Sequence, residues 1–163
     1  RYNGFFPNFS IAQNMAISRS LKDGGYKGAM GLFHEVDEQR TAENQRELLA
    51  LKCHSVNQNI TELSGGNQQK VLISKWLCCC PEVIIFDEPT RGIDVGAKAE
   101  IYKVMRQLAD DGKVILMVSS ELPEIITVCD RIAVFCEGRL TQILTNRDDM
   151  SEEEIMAWAL PQE

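Results

Sequence analysis

Two short apolar runs, VIIF (83–86) and VILMV (114–118), constrain the fold of this 163-residue chain more than any other feature. Uninterrupted apolar runs of this length are typical of strands that are buried on both faces of a parallel sheet. The segment between them has one apolar stripe at helical spacing, formed by Ala97, Ile101, Val104, Met105 and Leu108. A strand, an amphipathic helix and a second strand in this order predict a parallel βαβ unit and an α/β fold.

Helices are predicted ahead of the first strand, and turn and capping residues mark their ends. Ser10 is an N-cap candidate for the first helix, a Gly-rich loop follows at 22–28, and Pro81 stops the last helix. The predicted helices cover residues 10–19, 32–53 and 67–80. We therefore expect a helical domain over residues 1–80.

A second domain is expected over residues 81–163. After the second strand, SSELPEIITVC predicts a short helix, and IAVFC and RLTQIL on either side of a Glu-Gly pair predict a closing hairpin. Ser151 and Glu154 form a capping box that opens a C-terminal helix. The expected order of this domain is β-α-β-α-β with a parallel sheet, followed by the hairpin and the last helix.

Composition indicates a globular chain and argues against a nucleic-acid partner. Apolar residues make up 44% and charged residues 25%, and the formal net charge is −7, whereas nucleic-acid binding requires a basic face. No run of about eighteen apolar residues occurs, and the opening RYNGFFPNFS lacks the apolar segment of a signal peptide. Any membrane role is therefore expected to come through a partner.

The cysteines favour reduced thiols over a disulfide framework. There are six, and three of them are consecutive: Cys53, Cys78, Cys79, Cys80, Cys129 and Cys136. A zinc site formed by Cys53, His54 and the consecutive run is an alternative, but adjacent helical residues point about 100° apart and cannot all face one ion. We interpret the run as small buried residues at a helix end.

Two acids follow the first apolar run, where the carboxyl end of a parallel strand is expected. Ligands of open α/β sheets bind at this edge. Asp87 can hold a magnesium ion directly or through water, and Glu88 can orient and polarise an attacking water. A solvated loop after a strand is the ordinary alternative for such a pair.

The stretch TELSGGNQQKVLISKW (61–76) has the composition of a phosphate-contacting helix start. Ser64 is a plausible cap, and Gly65 and Gly66 allow backbone N–H groups to approach an anion closely. However, no G-x-x-x-x-G-K-[ST] loop occurs in the sequence. A helix N-terminus contributes only about 1–2 kcal/mol toward an anion, too little to hold a nucleotide unaided. The alternative is a flexible, capped helix start.

Together, LSGGNQQ, VIIFDEPT and GID resemble the signature motif, the Walker B motif with its adjacent glutamate, and the D-loop of ATP-binding cassette (ABC) ATPases. LSGGNQQK, DEPTRGIDVGAK and VSSELPE resemble the second cassette of the ATP-binding subunits of bacterial monosaccharide importers, of the ribose, galactose, arabinose and xylose type. The resemblance runs from Phe9 to the end of the chain. It implies a P-loop NTPase-like ABC cassette. The cassette is expected to be truncated, because the P-loop is missing and Arg1 matches the region just after the family's Q-loop.

The resemblance also implies roles for individual residues. In ABC ATPases the nucleotide lies between two cassettes in head-to-tail arrangement, and the signature motif of one caps the phosphate held by the other. Glu88 is then the catalytic residue and Asp87 the magnesium ligand, through water. The residues implied in nucleotide contact are Leu63, Ser64, Gly65, Gly66, Asn67, Gln68, Asp94 and Ser120.

One position departs from the family pattern. Ser120 stands where the family has its switch histidine, and the two histidines of the chain, His34 and His54, lie in the helical part and are expected at the surface. A serine does not give the charged contact to a γ-phosphate that imidazole gives. We therefore expect the half-site that carries Glu88 to be weak.

The implied function is hydrolysis of ATP, with magnesium, to drive import of a sugar. The resemblance implies several partners: a first cassette of the same subunit or a second copy, membrane permease subunits and, indirectly, a periplasmic sugar-binding protein. The expected location is cytoplasmic, peripheral on the inner face of the cell membrane. This part alone lacks the P-loop and is expected to be inactive.

Two alternatives stay open on the sequence. One is an ABC ATPase of DNA repair or translation, although such proteins carry basic surfaces and long charged linkers that this chain lacks. The other is a non-catalytic module that uses only the surface of the cassette for interactions.

Overall fold

The computed structural model describes residues 4–22 and 35–161, in which helices precede an alternation of strands and helices. The Gly-rich loop predicted at 22–28 lies outside these residues except for its first, and so does His34. The elements are α1 (Ile11–Lys22), α2 (Glu35–Leu48), a 3-10 turn (Ile60–Glu62), α3 (Gly65–Leu77), β1 (Val83–Asp87), α4 (Val95–Asp110), β2 (Val114–Val118), α5 (Leu122–Val128), β3 (Arg131–Cys136), β4 (Arg139–Thr145) and α6 (Glu152–Ala159).

The described chain divides into two compact units. The first comprises Arg1–Ile84 and Thr90–Val114, and the second comprises Ile85–Pro89 and Ile115–Glu163. This is a division by packing, and it places α4 with the helices that precede the strands. The domain boundary near residue 80 that the sequence suggested is not tested by this division and stays a proposal.

The helices of the first unit surround an apolar core. Ile11 and Met15 of α1, Ile60 of the 3-10 turn and Val71 of α3 are fully buried in it. The predicted N-cap of α1 is confirmed, since Ser10 Oγ accepts from the Gln13 amide at 3.2 Å and the Gln13 side chain accepts from the Ser10 amide at 3.0 Å. This reciprocal pair is a capping box, and it fixes the start of α1.

Helix α3 begins and ends earlier than the sequence indicated. It runs over Gly65–Leu77 rather than 67–80, because both glycines of the SGG stretch join the helix. Their low helix propensity explains the prediction of a later start. At the other end Cys78 is the C-cap, and Cys80 has a positive φ of 49°, so the helix has already ended before Pro81.

Strands β1 and β2 are parallel, as predicted. Val114 N donates to Glu82 O at their start, and Glu88 N donates to Val118 O at their end, each at 2.9 Å. The prediction that both faces of these strands are buried is wrong for this chain. Burial alternates along β1, where Ile84 and Phe86 are 8% and 7% exposed but Ile85 is 67% exposed.

One face of this strand pair carries exposed apolar side chains. In the second unit these are Ile85, Leu116 and Val118, here called the open strand face. A parallel sheet normally has both faces covered by helices. Among the described residues of the second unit, no element covers this face.

The second unit ends in the predicted hairpin and helix. Strands β3 and β4 are antiparallel, and the turn residues Glu137 and Gly138 have φ of 50° and 77°, as a two-residue type I′ turn requires. The predicted cap of α6 is confirmed, because Ser151 Oγ accepts from the Glu154 amide at 3.2 Å. Ile132, Val134, Met150 and Ile155 form the buried centre of this part.

The cysteines are free thiols, as expected, and their burial differs. Cys78 is buried, Cys79 is partly buried and Cys80 is exposed, so only the first fits the interpretation of the run as buried small residues. Burial is the main cause that raises the pKa of Cys78 to about 11. Within residues 4–22 and 35–161 no group of three or more His, Cys, Asp or Glu side chains is placed to hold a metal ion. None of the helices described is long and apolar enough to span a membrane.

Candidate functional site

The start of α3 presents Ser64 at its N-cap position. Its backbone is extended, with φ −62° and ψ 157°, and its side chain is exposed. The predicted side-chain cap is not formed: Ser64 Oγ accepts from Asn67 Nδ2 at 2.9 Å rather than from a backbone amide. The first N–H groups of α3 therefore lie beside a hydroxyl that does not cap them, at an exposed end that favours negative charge.

The two glycines of this start have different surroundings. A Cβ at Gly65 would meet no atom of the described residues within 4 Å, and Gly65 is exposed. A Cβ at Gly66 would lie 2.5 Å from Ala97 Cβ and 3.7 Å from Ile93 Cγ2. Gly66 is therefore required by the packing of α3 against the start of α4, whereas Gly65 faces open space.

The other residues predicted for this motif fix its shape by burial and hydrogen bonds. Leu63 is buried. Asn67 Oδ1 accepts from the Lys52 amide at 3.0 Å. Gln68 Nε2 donates to Leu63 O at 3.1 Å and to Ile60 O at 3.3 Å. Of the six predicted residues of the motif, only Ser64 and Gly65 are thus exposed, and the other four shape the loop that presents them.

A buried lysine next to the motif was missed by the sequence reasoning. Lys70 is 2% exposed, and its Nζ lies 2.9 Å from Glu100 Oε2 of α4 and 3.0 Å from Ala50 O. Lys52 Nζ lies 3.2 Å from the other oxygen of Glu100. The hydrogen bond from Lys70, followed by that from Lys52, lowers the pKa of Glu100. A signal existed: Gly66, Lys70 and Ser74 are spaced by four residues, so all three lie on one helix face, and all three are buried.

Asp94 has a structural function that the sequence did not assign. It is the N-cap of α4, and its Oδ1 accepts from the Ala97 amide at 2.9 Å. Its side chain is exposed. The cap fixes the start of α4, the same turn that packs against Gly66.

Asp87 and Glu88 lie at the carboxyl end of β1, as predicted. Glu88 has a positive φ of 47°, an uncommon conformation for a residue other than glycine. Its amide donates to Val118 O at 2.9 Å, and its Oε1 accepts from the Ser120 amide at 2.9 Å. The structure therefore brings Glu88 and Ser120 together, and through the backbone of Ser120 rather than its side chain.

The residues present are suited to a magnesium ion only in part. Asp87 is an exposed carboxylate at the strand end, and Mg²⁺ in phosphate sites is commonly held by one or two carboxylates, water and the phosphates themselves. Asp87 could supply one such contact, directly or through water. The remaining ligands would have to come from the nucleotide or from residues beyond those described.

Comparison with known proteins decides the family. A sequence model of the family described as "ABC transporter" matches residues 2–91, more than half of the chain. The chain belongs to the ABC transporter family. Residues 63–68 resemble the signature motif of this family, and β1 with Asp87 and Glu88 resembles its Walker B strand.

Curated relatives in the ABC transporter family extend the match to almost the whole chain. It is 99% identical over 163 residues to the D-allose import ATP-binding protein AlsA of Escherichia coli (strain K12), covering 32% of that protein. It is 46% identical over 158 residues to the ribose import ATP-binding protein RbsA of a Bacillus cereus strain, and 46% identical over 157 residues to the L-arabinose transport ATP-binding protein AraG of Geobacillus stearothermophilus. These two matches cover 96% and 94% of this chain. The chain spans about a third of the length of these relatives, 32%, 31% and 29% respectively.

Solved structures show the fold. A dimeric post-hydrolysis state of the ATP-binding cassette MJ0796, bound to ADP and Pi, matches with a TM-score of 0.70 at 24% identity, over 88% of this chain and 59% of that one. An inward-facing putative metal-chelate type ABC transporter matches with a TM-score of 0.77 at 18% identity, over 97% of this chain and 61% of that one. The expected cassette fold is thus confirmed.

Proposed function

We propose that this chain is the signature and Walker B part of an ATPase subunit that drives import of a monosaccharide, and that the sugar is D-allose. The support is the 99% identity to a D-allose import ATP-binding protein and the ribose and arabinose importers among the other relatives. A nucleic-acid ATPase is disfavoured because it would need a basic face and a long charged linker. The sequence has a net charge of −7 and contains no such linker.

The proposed role of the signature motif is to cap ATP held by another cassette. The observation that carries this proposal is the contrast at the start of α3, where Ser64 and Gly65 are exposed while the rest of the motif is fixed by packing and hydrogen bonds. A helix N-terminus with unsatisfied N–H groups attracts phosphate, but its contribution of about 1–2 kcal/mol is small. Ser64 and Gly65 therefore add to a site whose main phosphate contacts lie on the partner cassette.

The proposed role of Glu88 is to orient and polarise the attacking water. Bound Mg-ATP supplies the phosphoryl group and the cation that neutralises its charge. Glu88 Oε1 is held by the Ser120 amide, which leaves Oε2 as the acceptor for a proton of the water. Asp87 would hold magnesium through water, Asp94 would keep the D-loop turn in place near the partner's nucleotide, and Ser120 would contact nucleotide without the charge of an imidazole.

The proposed partners and location follow from the importer function. A first cassette of the same subunit, or a second copy, completes the nucleotide site. Permease subunits hold the assembly at the inner face of the membrane, on the cytoplasmic side, and a periplasmic sugar-binding protein delivers the sugar to them.

Transport by the full-length subunit tests this function. We expect vesicles that contain the subunit and its permease to take up labelled D-allose in the presence of the binding protein, only when Mg-ATP is inside. D-Ribose and L-arabinose serve as matched substrates and should be taken up far more slowly. Uptake that does not require ATP would refute the importer function, and equal uptake of all three sugars would refute only the choice of sugar.

A further inference from the structure

A buried carboxylate lies behind the turn that holds Glu88. Glu124 of α5 is 5% exposed, in the same compact unit as Glu88. Its Oε2 accepts a hydrogen bond from Ser119 Oγ at 3.0 Å. A buried carboxylate is costly unless it is hydrogen-bonded, and the bond from Ser119 is one of the contacts that satisfy Glu124.

The Ser119 hydroxyl also fixes the peptide group between Ser119 and Ser120, which contacts Glu88. Its Oγ donates to Glu124 and also accepts from the Glu121 amide at 3.0 Å, so the hydroxyl links the third position of α5 to its N-cap residue. Ser120 lies between Ser119 and Glu121, which this hydrogen bond joins. Its N–H belongs to the peptide group that joins Ser119 to Ser120, and that N–H is the one that donates to Glu88 Oε1.

We propose that Glu124 is a positioning residue for Glu88, acting through the Ser119 hydroxyl and the Ser120 amide. The inference rests on the proposed catalytic function of Glu88. The backbone amide of Ser120 orients the Glu88 carboxylate. The Ser120 side chain carries no charge and therefore cannot supply a charged contact for this purpose. Loss of the Glu124 acceptor lets the turn relax and turns the Ser120 N–H away from Glu88, whereas nucleotide binding does not depend on this link.

Kinetics of the full-length subunit test the proposal. Glu124→Met keeps the size and burial of the side chain but removes the acceptor, and we expect it to lower kcat about fivefold, well under the hundredfold that a misplacement of about 1 Å can cost. The KM for ATP should change less than about twofold, because the loss is confined to the chemical step. Glu124→Gln keeps an acceptor oxygen and should retain about wild-type kcat.

Three further variants separate positioning from folding. Ser119→Ala should reproduce the loss of kcat, and Ser119→Thr, which keeps the hydroxyl, should restore it. Asp148→Asn removes an exposed carboxylate of the same unit and should leave kcat unchanged. If Glu124→Met does not fold, the comparison of Ser119→Ala with Ser119→Thr still tests the proposal. A loss of kcat in Ser119→Thr as large as in Ser119→Ala would refute the role of the hydroxyl.

A double-mutant cycle with Glu88→Gln is decisive. Because Glu124 acts only through Glu88, Glu124→Met or Ser119→Ala should cause no further loss of kcat in the Glu88→Gln background. Losses that multiply would show that Glu124 acts elsewhere and would refute the inference while leaving the proposed function intact. Wild-type kcat in Glu88→Gln itself would instead refute the catalytic role of Glu88.

Discussion

The start of α3 and the carboxyl end of β1 are held in different ways. At the start of α3, Gly66 is in close contact with Ala97 and the buried Lys70 binds Glu100, so packing and charge fix the motif within one unit. At the end of β1, the Glu88 amide donates to Val118 O and the Ser120 amide donates to the Glu88 carboxylate, but Ile85 in the same strand is 67% exposed. The comparison indicates that the signature motif takes its shape from residues of this chain. In the Walker B strand, in contrast, Val83 and Ile85, half of its apolar side chains, are exposed.

The largest effect is expected from the two glycines of the signature motif. Gly66→Ala should destabilise the chain by about 2–3 kcal/mol, within the range for overpacking, because its Cβ would overlap Ala97. Gly65→Ala should be neutral or stabilising by up to about 1 kcal/mol, since the site is open and helical. Denaturant unfolding of both variants measures the difference, and Gly66→Ala with Ala97→Gly should recover most of the loss. Equal stability of the two single variants would contradict the close packing.

The next effect concerns the lysines around Glu100. Lys70→Met should cost about 1–3 kcal/mol, because it removes a hydrogen bond to the Ala50 carbonyl and the buried partner of the ion pair with Glu100, whose own side chain is 41% exposed. Lys52→Met is the matched control, since Lys52 binds the same carboxylate with its side chain 76% exposed, and it should cost less than about 1 kcal/mol. Chemical unfolding would measure both values. A cost for Lys52→Met as large as that for Lys70→Met would mean that burial does not strengthen the pair.

The smallest effect on stability, but a visible effect on association, is expected at the open strand face. Ile85→Thr with Leu116→Thr introduces strand-compatible residues and removes exposed apolar surface, so stability should change by less than about 0.5 kcal/mol per site. The 163-residue chain should self-associate, and the double variant should sediment as a monomer. Leu140→Thr, at a residue of similar exposure on β4, is the control and should not change association. A monomeric wild-type chain that binds no apolar dye would count against this surface.

The sequence predicts the order of elements well because the deciding signals are local. Apolar runs, helical spacing and caps such as Ser10 and Ser151 depend on neighbours a few residues away. The exposure of Ile85 could not be predicted from VIIF, since an apolar strand residue is buried only if another element covers it.

The candidate site was predictable as a set of residues but not as an arrangement. Gly65 and Gly66 are equivalent in the motif, and their difference arises from Ala97, which is distant in sequence. Likewise, the tie between Glu88 and Ser120 uses a backbone amide, so the identity of the side chain at 120 gave no indication of it. Contacts of this kind depend on tertiary packing, which spacing within one segment does not encode.

Steady-state ATP hydrolysis by the full-length subunit, comparing Gly65→Asp with Glu88→Gln, tests the central claim most directly. A carboxylate at position 65 would face the partner's γ-phosphate with like charge, and a repulsion of about 3 kcal/mol corresponds to a loss of about a hundredfold. Gly65→Asn has the same shape without the charge and should lose much less, which separates repulsion from misfolding. Glu88→Gln should lose only about tenfold, because the half-site with Ser120 is expected to be weak and so to gain less from general-base catalysis than the roughly 10²–10⁴-fold that is usual for it. If Glu88→Gln abolishes hydrolysis as completely as Gly65→Asp, both sites work and the weakness assigned to Ser120 is wrong. If Gly65→Asp hydrolyses ATP at the wild-type rate, the signature motif of this chain does not cap a nucleotide at all.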